Sequence, residues 1–186
     1  MVYINEYGLK GKSFYWEKAD EYDITKDELR NIGIDSNRIS VHEDLIAPLL
    51  KANEQFKKLG FEIYIKDGYR SKDLYNLVYK KRVKKYGAES VNKLLNVKTM
   101  PHSTGKCVDV SLLDIKTGKE LKFKDRKDGP NALFADFYKN KKDAQSLKCQ
   151  KNQALLADIM KNCGFKFGSL KEYFHFEYDS QYFLNP

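Results

Sequence analysis

Apolar residues recur with a helical period in three segments of the chain. The clearest segment follows residues 40–43, where a serine and a glutamate three residues apart predict a capping box. Its apolar residues are spaced to share one helical face: Leu45, Leu49, Ala52, Phe56 and Leu59. Gly60 follows where a helix commonly ends. Two further helices are predicted over residues 72–86 and 152–162, and residues 90–96 are expected to add one or two helical turns.

Alternating apolar and polar residues predict strands over residues 61–65, 107–113 and 174–178. In the second of these, Val108, Val110 and Leu112 fall on one face, and Cys107, Asp109 and Ser111 on the other. The apolar face belongs in the core, so Asp109 is expected to face a cleft. Residues 116–119 predict a turn leading into a hairpin strand at 120–123. Residues 124–150 predict a long loop, which in a compact domain is more often functional than idle.

The order of these elements predicts an α+β fold with a central antiparallel sheet and helices packed mainly on one face. A chain of 186 residues is long enough for one well-buried core, so residues 1–186 are expected to form a single domain. Residues 1–38 form an aromatic-rich N-terminal segment without a sustained period, expected to cover one side of the core. Residues 40–178 carry the motifs described below.

Charge and composition exclude little. The net charge of +8 would suit nucleic acid, but the lysines are spread over many segments, as on solvated helical faces, so we expect no nucleic-acid partner. No apolar run is long enough to span a membrane. The three cysteines, Cys107, Cys149 and Cys163, show no CxxC spacing, which favours reduced thiols and no disulfide framework.

The first residues lack the basic and apolar regions of a signal peptide. A cytoplasmic location is therefore the expectation, or a periplasmic one if an export signal was removed. The sequence leaves the oligomeric state open.

Two short segments concentrate the residue types that bind and use a metal ion. His102 and Asp109 lie in one, and Glu172 and His175 in the other, whereas His42, the third histidine, is interpreted as a surface residue of a first helical turn. Two imidazoles, one carboxylate and a spare glutamate are the inventory of a catalytic zinc site. A neighbouring antiparallel strand would bring His175 beside Asp109, which predicts one zinc ion per chain bound by His102, Asp109 and His175.

The same residues predict a hydrolytic mechanism. Zinc lowers the pKa of bound water to about 7, and Glu172 would act as the general base that accepts its proton. Arg70 ends the predicted strand in the segment Asp-Gly-Tyr-Arg, where it would stabilise the charge of a tetrahedral intermediate. Each residue alone has an ordinary structural explanation, such as pairing of Arg70 with Asp67 or Asp73, and only their joint occurrence favours catalysis.

Three motifs carry a resemblance to a known family. The pattern His102-x-x-Gly-x-Cys-x-Asp109 resembles the SxHxxGxAxD signature of the zinc D,D-peptidases of the VanX/VanY type. Glu172-Tyr-Phe-His175 is similar to that family's ExWH motif, and the segment ending in Arg70 is similar to the DGYRP segment of the D-alanyl-D-alanine dipeptidases. The resemblance spans roughly residues 40–178. It implies the same zinc ligands, the same base and an oxyanion-stabilising Arg70.

Departures from the family pattern concern the substrate more than the chemistry. Met100 replaces a serine, so Ser103 or Thr104 is predicted to supply a substrate-binding hydroxyl. Cys107 replaces a small alanine, which puts a thiol on the metal-facing side. An aspartate that binds the substrate's amino group in the dipeptidases has its counterpart in Asp136, and Tyr69 is predicted as a further substrate contact.

The leading hypothesis is zinc-dependent hydrolysis of D-alanyl-D-alanine or a related D-amino-acid dipeptide. One alternative is a peptidoglycan D,D-carboxypeptidase or L,D-endopeptidase acting on longer stem peptides. A carboxylate such as Asp136 closing the cleft would favour the dipeptide, and an open groove the longer substrate. A non-catalytic zinc-bearing module that binds cell-wall material is the other alternative, against which the free base Glu172 argues.

Overall fold

The computed structural model describes residues 1–92, 95 and 99–178. Within these residues the regular elements are, in chain order, strands β1 (Val2–Tyr3) and β2 (Lys10–Gly11), helices α1 (Phe14–Glu17) and α2 (Lys26–Asn31), strand β3 (Ser40–Val41), helix α3 (Ile46–Lys58), strand β4 (Phe61–Asp67), helices α4 (Lys72–Tyr86) and α5 (Ala88–Asn92), strand β5 (Cys107–Asp114), helix α6 (Ala144–Asn162) and strands β6 (Phe165–Phe167) and β7 (His175–Tyr178).

Five strands form the central sheet in the order β2-β4-β5-β7-β6. The single-domain α+β fold with a central sheet and packed helices is confirmed. The sheet is antiparallel, as predicted, except at one edge, where β2 pairs with β4 in parallel. This is possible because the chain between them crosses over through α1, α2 and α3, and a crossover of that length can join parallel strands. A two-residue strand carries no periodic signal that the sequence could reveal.

The main core lies between the sheet and helices α3 and α6. As predicted, Val108, Val110 and Leu112 of β5 are fully or almost fully buried in it. Leu49 and Phe56 of α3 join them, so one face of this helix is covered by the sheet. Burial of such side chains contributes roughly 1.5–3 kcal/mol each, which fixes the sheet as the platform for the site.

A second hydrophobic cluster joins the N-terminal segment to α4. Tyr15, Ile24 and Leu29 pack with Tyr75 and Val78 of that helix. Helix α2 of this segment begins with a capping box that was not predicted from the sequence. The Thr25 side chain accepts from the Glu28 amide, and the Glu28 side chain accepts from the Thr25 amide.

The predicted capping box at residues 40–43 is wrong. Ser40 pairs with Tyr3 in the short sheet of β1 and β3, so it is extended and unavailable as a cap. His42 takes the role instead, because its Nδ1 accepts a hydrogen bond from the Asp44 amide at 3.3 Å. The helix itself begins at Ile46 after one 3-10 turn.

Other predicted boundaries also shift. Helix α4 has the predicted bounds, but α6 begins at Ala144 instead of residue 152, with Asp143 as its N-cap. The hairpin after β5 is reduced to a single bridge between Leu113 and Glu120. Of the helical turns expected over 90–96, α5 covers the beginning, and most of the remainder lies outside the described residues. Strand β6 was not predicted.

No helix in the described part of the chain has both the length and the apolar character that a bilayer crossing requires.

Two leucines near one another in the chain test the packing of α3. Leu49 is fully buried, whereas Leu59 is 53% exposed. We expect Leu49→Ala to lower the free energy of unfolding by about 2–5 kcal/mol, because it leaves a cavity under the sheet. Leu59→Ala should change it by no more than about 0.5 kcal/mol. Denaturant titrations of both variants provide the measurement, and equal effects would contradict the packing described above.

Candidate active site

A cleft of about 380 Å³ opens on the face of the sheet opposite α3 and α6. Strands β5 and β7 supply its floor, α4 and the N-terminal segment one wall, and residues 120–133 and 169–174 much of the other. Polar and charged residues of the floor and walls include Lys66, Asp67, Arg70, Arg82, His102, Asp109, Ser111, Glu120, Lys124, Glu172, His175 and Glu177. Every residue predicted as a metal ligand or a catalytic group lies in this cleft.

Strand pairing brings two of the predicted ligands together. Asp109 of β5 stands directly opposite His175 of β7 in the antiparallel register, as the sequence predicted. The side chains of directly opposed residues lie on the same face of a sheet. The Asp109 Oδ1 atom is consequently 2.9 Å from Nδ1 of His175.

His102 reaches the same point from a short 3-10 turn, Pro101–Thr104. The turn is bounded by Met100 and Gly105, both in the left-handed region, with φ of 43° and 72°. Its Nε2 atom lies 3.1 Å from Nδ1 of His175 and 3.3 Å from Oδ1 of Asp109. Its other nitrogen, Nδ1, lies 2.8 Å from the carbonyl oxygen of Gly68. A proton on Nδ1 donates to that carbonyl, which leaves the Nε2 lone pair free for a metal ion.

The three donor atoms fit a zinc ion. Donors 2.0–2.1 Å from a tetrahedral ion are about 3.3 Å apart, and the three observed separations are 2.9, 3.1 and 3.3 Å. Two imidazole nitrogens and one carboxylate oxygen also form the donor set of catalytic rather than structural zinc sites. His102, Asp109 and His175 therefore form a candidate metal centre that lines the cleft.

Electrostatics favours a positive charge at this centre. Burial opposes ionisation of Asp109, but His102 and His175 outweigh it and hold the pKa of the carboxyl well below its usual range. Burial likewise opposes charge on His175, whereas Asp109, Cys107 and Glu177 raise the pKa of its ring. The same surroundings that favour a proton here favour a metal cation in its place.

The far side of the His175 ring is closely packed. Its Nε2 atom faces Glu177, with 3.6 Å between Nε2 and Oε1. A Cβ atom on Gly168 would lie 2.4 Å from the ring, so only glycine fits against this histidine. Cys107 lies beside the ring, and its thiol donates to the carbonyl oxygen of Pro101 at 3.2 Å. His175 is thus fixed in position, with Nδ1 directed to the candidate metal centre.

Glu172 lies in the cleft at the end of the turn before β7. Its backbone forms a bridge with Phe134, which ties the turn to the segment that follows Leu133 in the same wall. Burial and the charge of Asp109 raise the pKa of Glu172 to about 7, while His175, Arg70 and Arg82 oppose the shift. A carboxyl group that exchanges a proton near neutral pH is suited to general acid–base chemistry.

Arg70 is buried in the cleft wall and held from three sides. Its Nε and Nη2 atoms donate to the carboxylate of Asp67. Its guanidinium also stacks over Tyr15 and Tyr75, at 4.7 and 4.5 Å from the ring centres. Burial disfavours its charge, but Asp67 more than compensates and raises its pKa, so Arg70 stays cationic. Its amide also donates to the carbonyl of His102 at 3.1 Å, linking it to the ligand turn.

The three predicted substrate contacts are placed differently. Asp136 is exposed and Ser103 is half-buried, and neither lines the cleft. Tyr69 is 39% exposed and lines a separate cavity beside Gly68 and Ser71. Their roles in substrate binding stay predictions.

The structure adds cleft residues that the sequence patterns did not indicate. Phe14, Tyr15 and Tyr22 come from the N-terminal segment, Arg82 from α4, and Glu120 from the bridge after β5. The aromatic richness of residues 1–38 was the one available signal, and it did not distinguish core from cleft.

The family described as D-ala-D-ala dipeptidase, a peptidase family, matches residues 19–185 of the chain. No curated protein matches the sequence.

Two solved structures are similar at low identity. The LdcB LD-carboxypeptidase, whose structure is described as revealing the molecular basis of peptidoglycan recognition, is 18% identical, with a TM-score of 0.49 over 76% of this chain and 59% of its own. DacB from Streptococcus pneumoniae is 19% identical, with a TM-score of 0.49 over 76% of this chain and 68% of its own. The chain therefore spans less than two thirds of the LdcB chain.

Metal binding tests the candidate centre directly. We expect His102→Ala and His175→Ala to weaken zinc binding at least about 100-fold, because loss of an outer-shell partner alone costs 10–100-fold. His42→Ala is the matched control, since His42 caps the 3-10 turn before α3 and does not line the cleft. Zinc content after equilibration in a zinc-buffered solution provides the measurement. Full zinc occupancy in His175→Ala would contradict the assignment.

Proposed function

The chain belongs to the D-ala-D-ala dipeptidase family of metallopeptidases. On this basis we propose that it is a zinc-dependent peptidase. Its proposed substrate is a longer peptide, such as a peptidoglycan stem, and the bond it cleaves is the D-alanyl-D-alanine bond at the end of that peptide. The observation that carries the proposal is the meeting of a three-donor candidate metal centre, a half-buried glutamate and a buried arginine in one cleft. A non-catalytic binding module would need neither Glu172 nor Arg70 beside the metal.

A zinc ion held by His102, Asp109 and His175 would supply Lewis acidity for the activation of water and of the scissile carbonyl. Glu172 accepts the proton of the attacking water and passes it to the departing amine nitrogen. Its pKa of about 7 in the metal-free protein, raised by burial and by Asp109, suits both halves of this transfer.

Arg70 opposes the negative charge that develops on the carbonyl oxygen. Asp67, Tyr15 and Tyr75 fix the guanidinium before substrate arrives, so little reorganisation is needed in the transition state. The loss of one such donor typically costs about 2.7–4 kcal/mol.

The charges of the cleft favour a longer peptide over a free dipeptide. A dipeptide carries an ammonium group one residue from the scissile bond, and this group needs an acidic partner. Each carboxylate lining the cleft within the described residues is already engaged: Asp67 with Arg70, Glu120 with Lys66 and Ser111, Glu177 with His175, and Asp109 and Glu172 at the centre. Asp136 is exposed and does not line the cleft, so it does not add a free carboxylate there.

The D-alanyl-D-alanine dipeptide is the second candidate substrate. It is favoured by the description of the matched family, which names this dipeptide.

Substitution of the proposed base tests the chemistry. We expect Glu172→Gln to retain zinc but to lower kcat by about 10²–10⁴-fold, because the attacking water loses its proton acceptor. The rise of kcat/KM with pH below about 7, where wild-type Glu172 ionises, should also disappear. Glu54→Gln, an exposed change on α3, should leave both quantities unaltered. A Glu172→Gln variant with wild-type kcat would refute the mechanism.

Substrate length is tested with two peptides, D-Ala-D-Ala and an N-acylated tripeptide that ends in D-Ala-D-Ala. We expect kcat/KM to be about 10–100-fold higher for the acylated peptide, since an unpaired charged group in a cleft costs roughly 1.5–3 kcal/mol. Release of D-alanine, with and without a chelator, provides the measurement. Cleavage of the dipeptide alone would favour the second candidate.

A further inference from the structure

Two of the four basic residues lining the cleft have no acidic partner among the described residues. Lys66 pairs with Glu120, and Arg70 with Asp67. For Arg82 and Lys124, no carboxylate of the described chain lies within ion-pair distance. A half-buried cation without a counter-ion at the edge of an active site is available to bind an anionic group of the substrate.

Arg82 is held in place by an aromatic ring instead of by a charge. Its Nη2 atom donates to the hydroxyl of Tyr22 at 3.1 Å, and its guanidinium lies 4.7 Å from the centre of the same ring. These contacts restrict the side chain but leave its charge uncompensated. A guanidinium has five N–H donors, so donors remain for a carboxylate. The planar guanidinium of Arg82 can bind a carboxylate through two parallel hydrogen bonds, which a lysine ammonium group such as that of Lys124 cannot do.

The position of Arg82 on α4 directs it toward the catalytic centre. It follows Tyr75, which touches Arg70, by seven residues, or two helical turns, on the same face and about 10 Å along the axis. Helical side chains lean toward the N-terminus of their helix, which here is the end nearer to Arg70 and His102. The charge of Arg82 also reaches buried Tyr15. Burial raises the pKa of Tyr15, the charges of Arg70 and Arg82 oppose the rise, and the net pKa is about 12.

The wall around Arg82 is otherwise apolar. Phe14, Tyr22 and Leu95 line the cleft on this side, and Phe14 and Tyr22 are 6.1 Å apart between ring centres. A small apolar side chain beside a carboxylate, as in a C-terminal alanine, matches this combination of surfaces. On the opposite wall, Lys66 is paired with Glu120, and within the described residues no aromatic ring holds Lys124 by a cation–π contact.

We propose that Arg82 binds the α-carboxylate of the substrate's C-terminal residue. The peptide then lies with its C-terminal residue against α4 and the N-terminal segment, and with the rest of its chain toward Lys66 and Lys124. This inference rests on the proposed function and adds the direction in which the substrate crosses the metal centre.

Binding of two peptides that differ only at the C-terminus tests the proposal. The protein is zinc-loaded Glu172→Gln, and the probes are an N-acylated tripeptide ending in D-Ala-D-Ala and the same peptide as its C-terminal amide, measured by calorimetry. We expect the free acid to bind about 10–100-fold more tightly than the amide, the range of a charge-assisted hydrogen bond. Adding Arg82→Ala should remove this difference, and Arg82→Lys should restore part of it.

Control variants separate binding from folding. Arg30→Ala removes an exposed arginine that pairs with Asp27, and the ratio of the two affinities should stay unchanged. Tyr22→Phe keeps the ring but removes the hydroxyl that holds Arg82, so it should reduce the ratio even if Arg82→Ala does not fold. Zinc content and the unfolding midpoint report the fold of each variant. In the active enzyme, Arg82→Ala should raise KM for the free acid with little change in kcat.

The outcomes also distinguish this proposal from the proposed function. The role of Arg82 would be overturned if the preference for the free acid over the amide persisted in Arg82→Ala. It would also be overturned if Lys124→Ala abolished that preference instead. Equal hydrolysis of acid and amide by the wild type would do the same, while leaving the peptidase function intact. If the wild type cleaves neither peptide but the affinity difference depends on Arg82, the role of Arg82 stands and the peptidase function fails.

Discussion

The pairing of β5 with β7 is the constraint on which the candidate site depends. Asp109 and His175 are 66 positions apart in the chain, yet the antiparallel register places them directly opposite each other. A shift of one residue would turn one of them toward the core, because side chains alternate between the faces of a strand. The register is fixed from the other face, where Val108 and Phe176 are opposed and fully buried. Hydrophobic packing under the sheet thus sets the geometry of the candidate metal centre above it.

The sequence predicted those features that local patterns determine. The amphipathic period gave α3 and the bounds of α4, and the alternation in β5 correctly placed Asp109 on the cleft face. Elements that depend on distant partners were missed or misplaced. Ser40 has the pattern of a helix cap, but its pairing with Tyr3 prevails over local propensity. The parallel edge strand β2 is only two residues long, and its pairing with β4 leaves no local signature.

The same distinction holds within the site. The five catalytic candidates could be named because the chain has only three histidines and the spacing of the motifs around two of them is characteristic. The walls of the cleft are made of common residues. Glu120 and Arg82 have no distinctive neighbours in the sequence, and only the fold brings them to the cleft. Asp136 lies in a predicted loop, and a loop position does not reveal in which direction a side chain points. In the structure Asp136 lies on the exposed surface. Substrate preference is therefore a property of tertiary contacts more than of motifs.

The cleft lies where the two hydrophobic clusters meet, and each cluster supports a different part of it. Asp109 and His175 are anchored on the sheet cluster, whereas Tyr15, Tyr75 and Arg82 belong to the wall built on the N-terminal segment and α4. Residues 14 and 15 precede the region matched by the family, which begins at residue 19, although both line the cleft. Changes in the N-terminal segment can therefore alter one wall of the cleft without disturbing the strand register that positions Asp109 and His175. Arg70 connects the two parts, since it stacks on Tyr15 and Tyr75 while its amide donates to the carbonyl of His102.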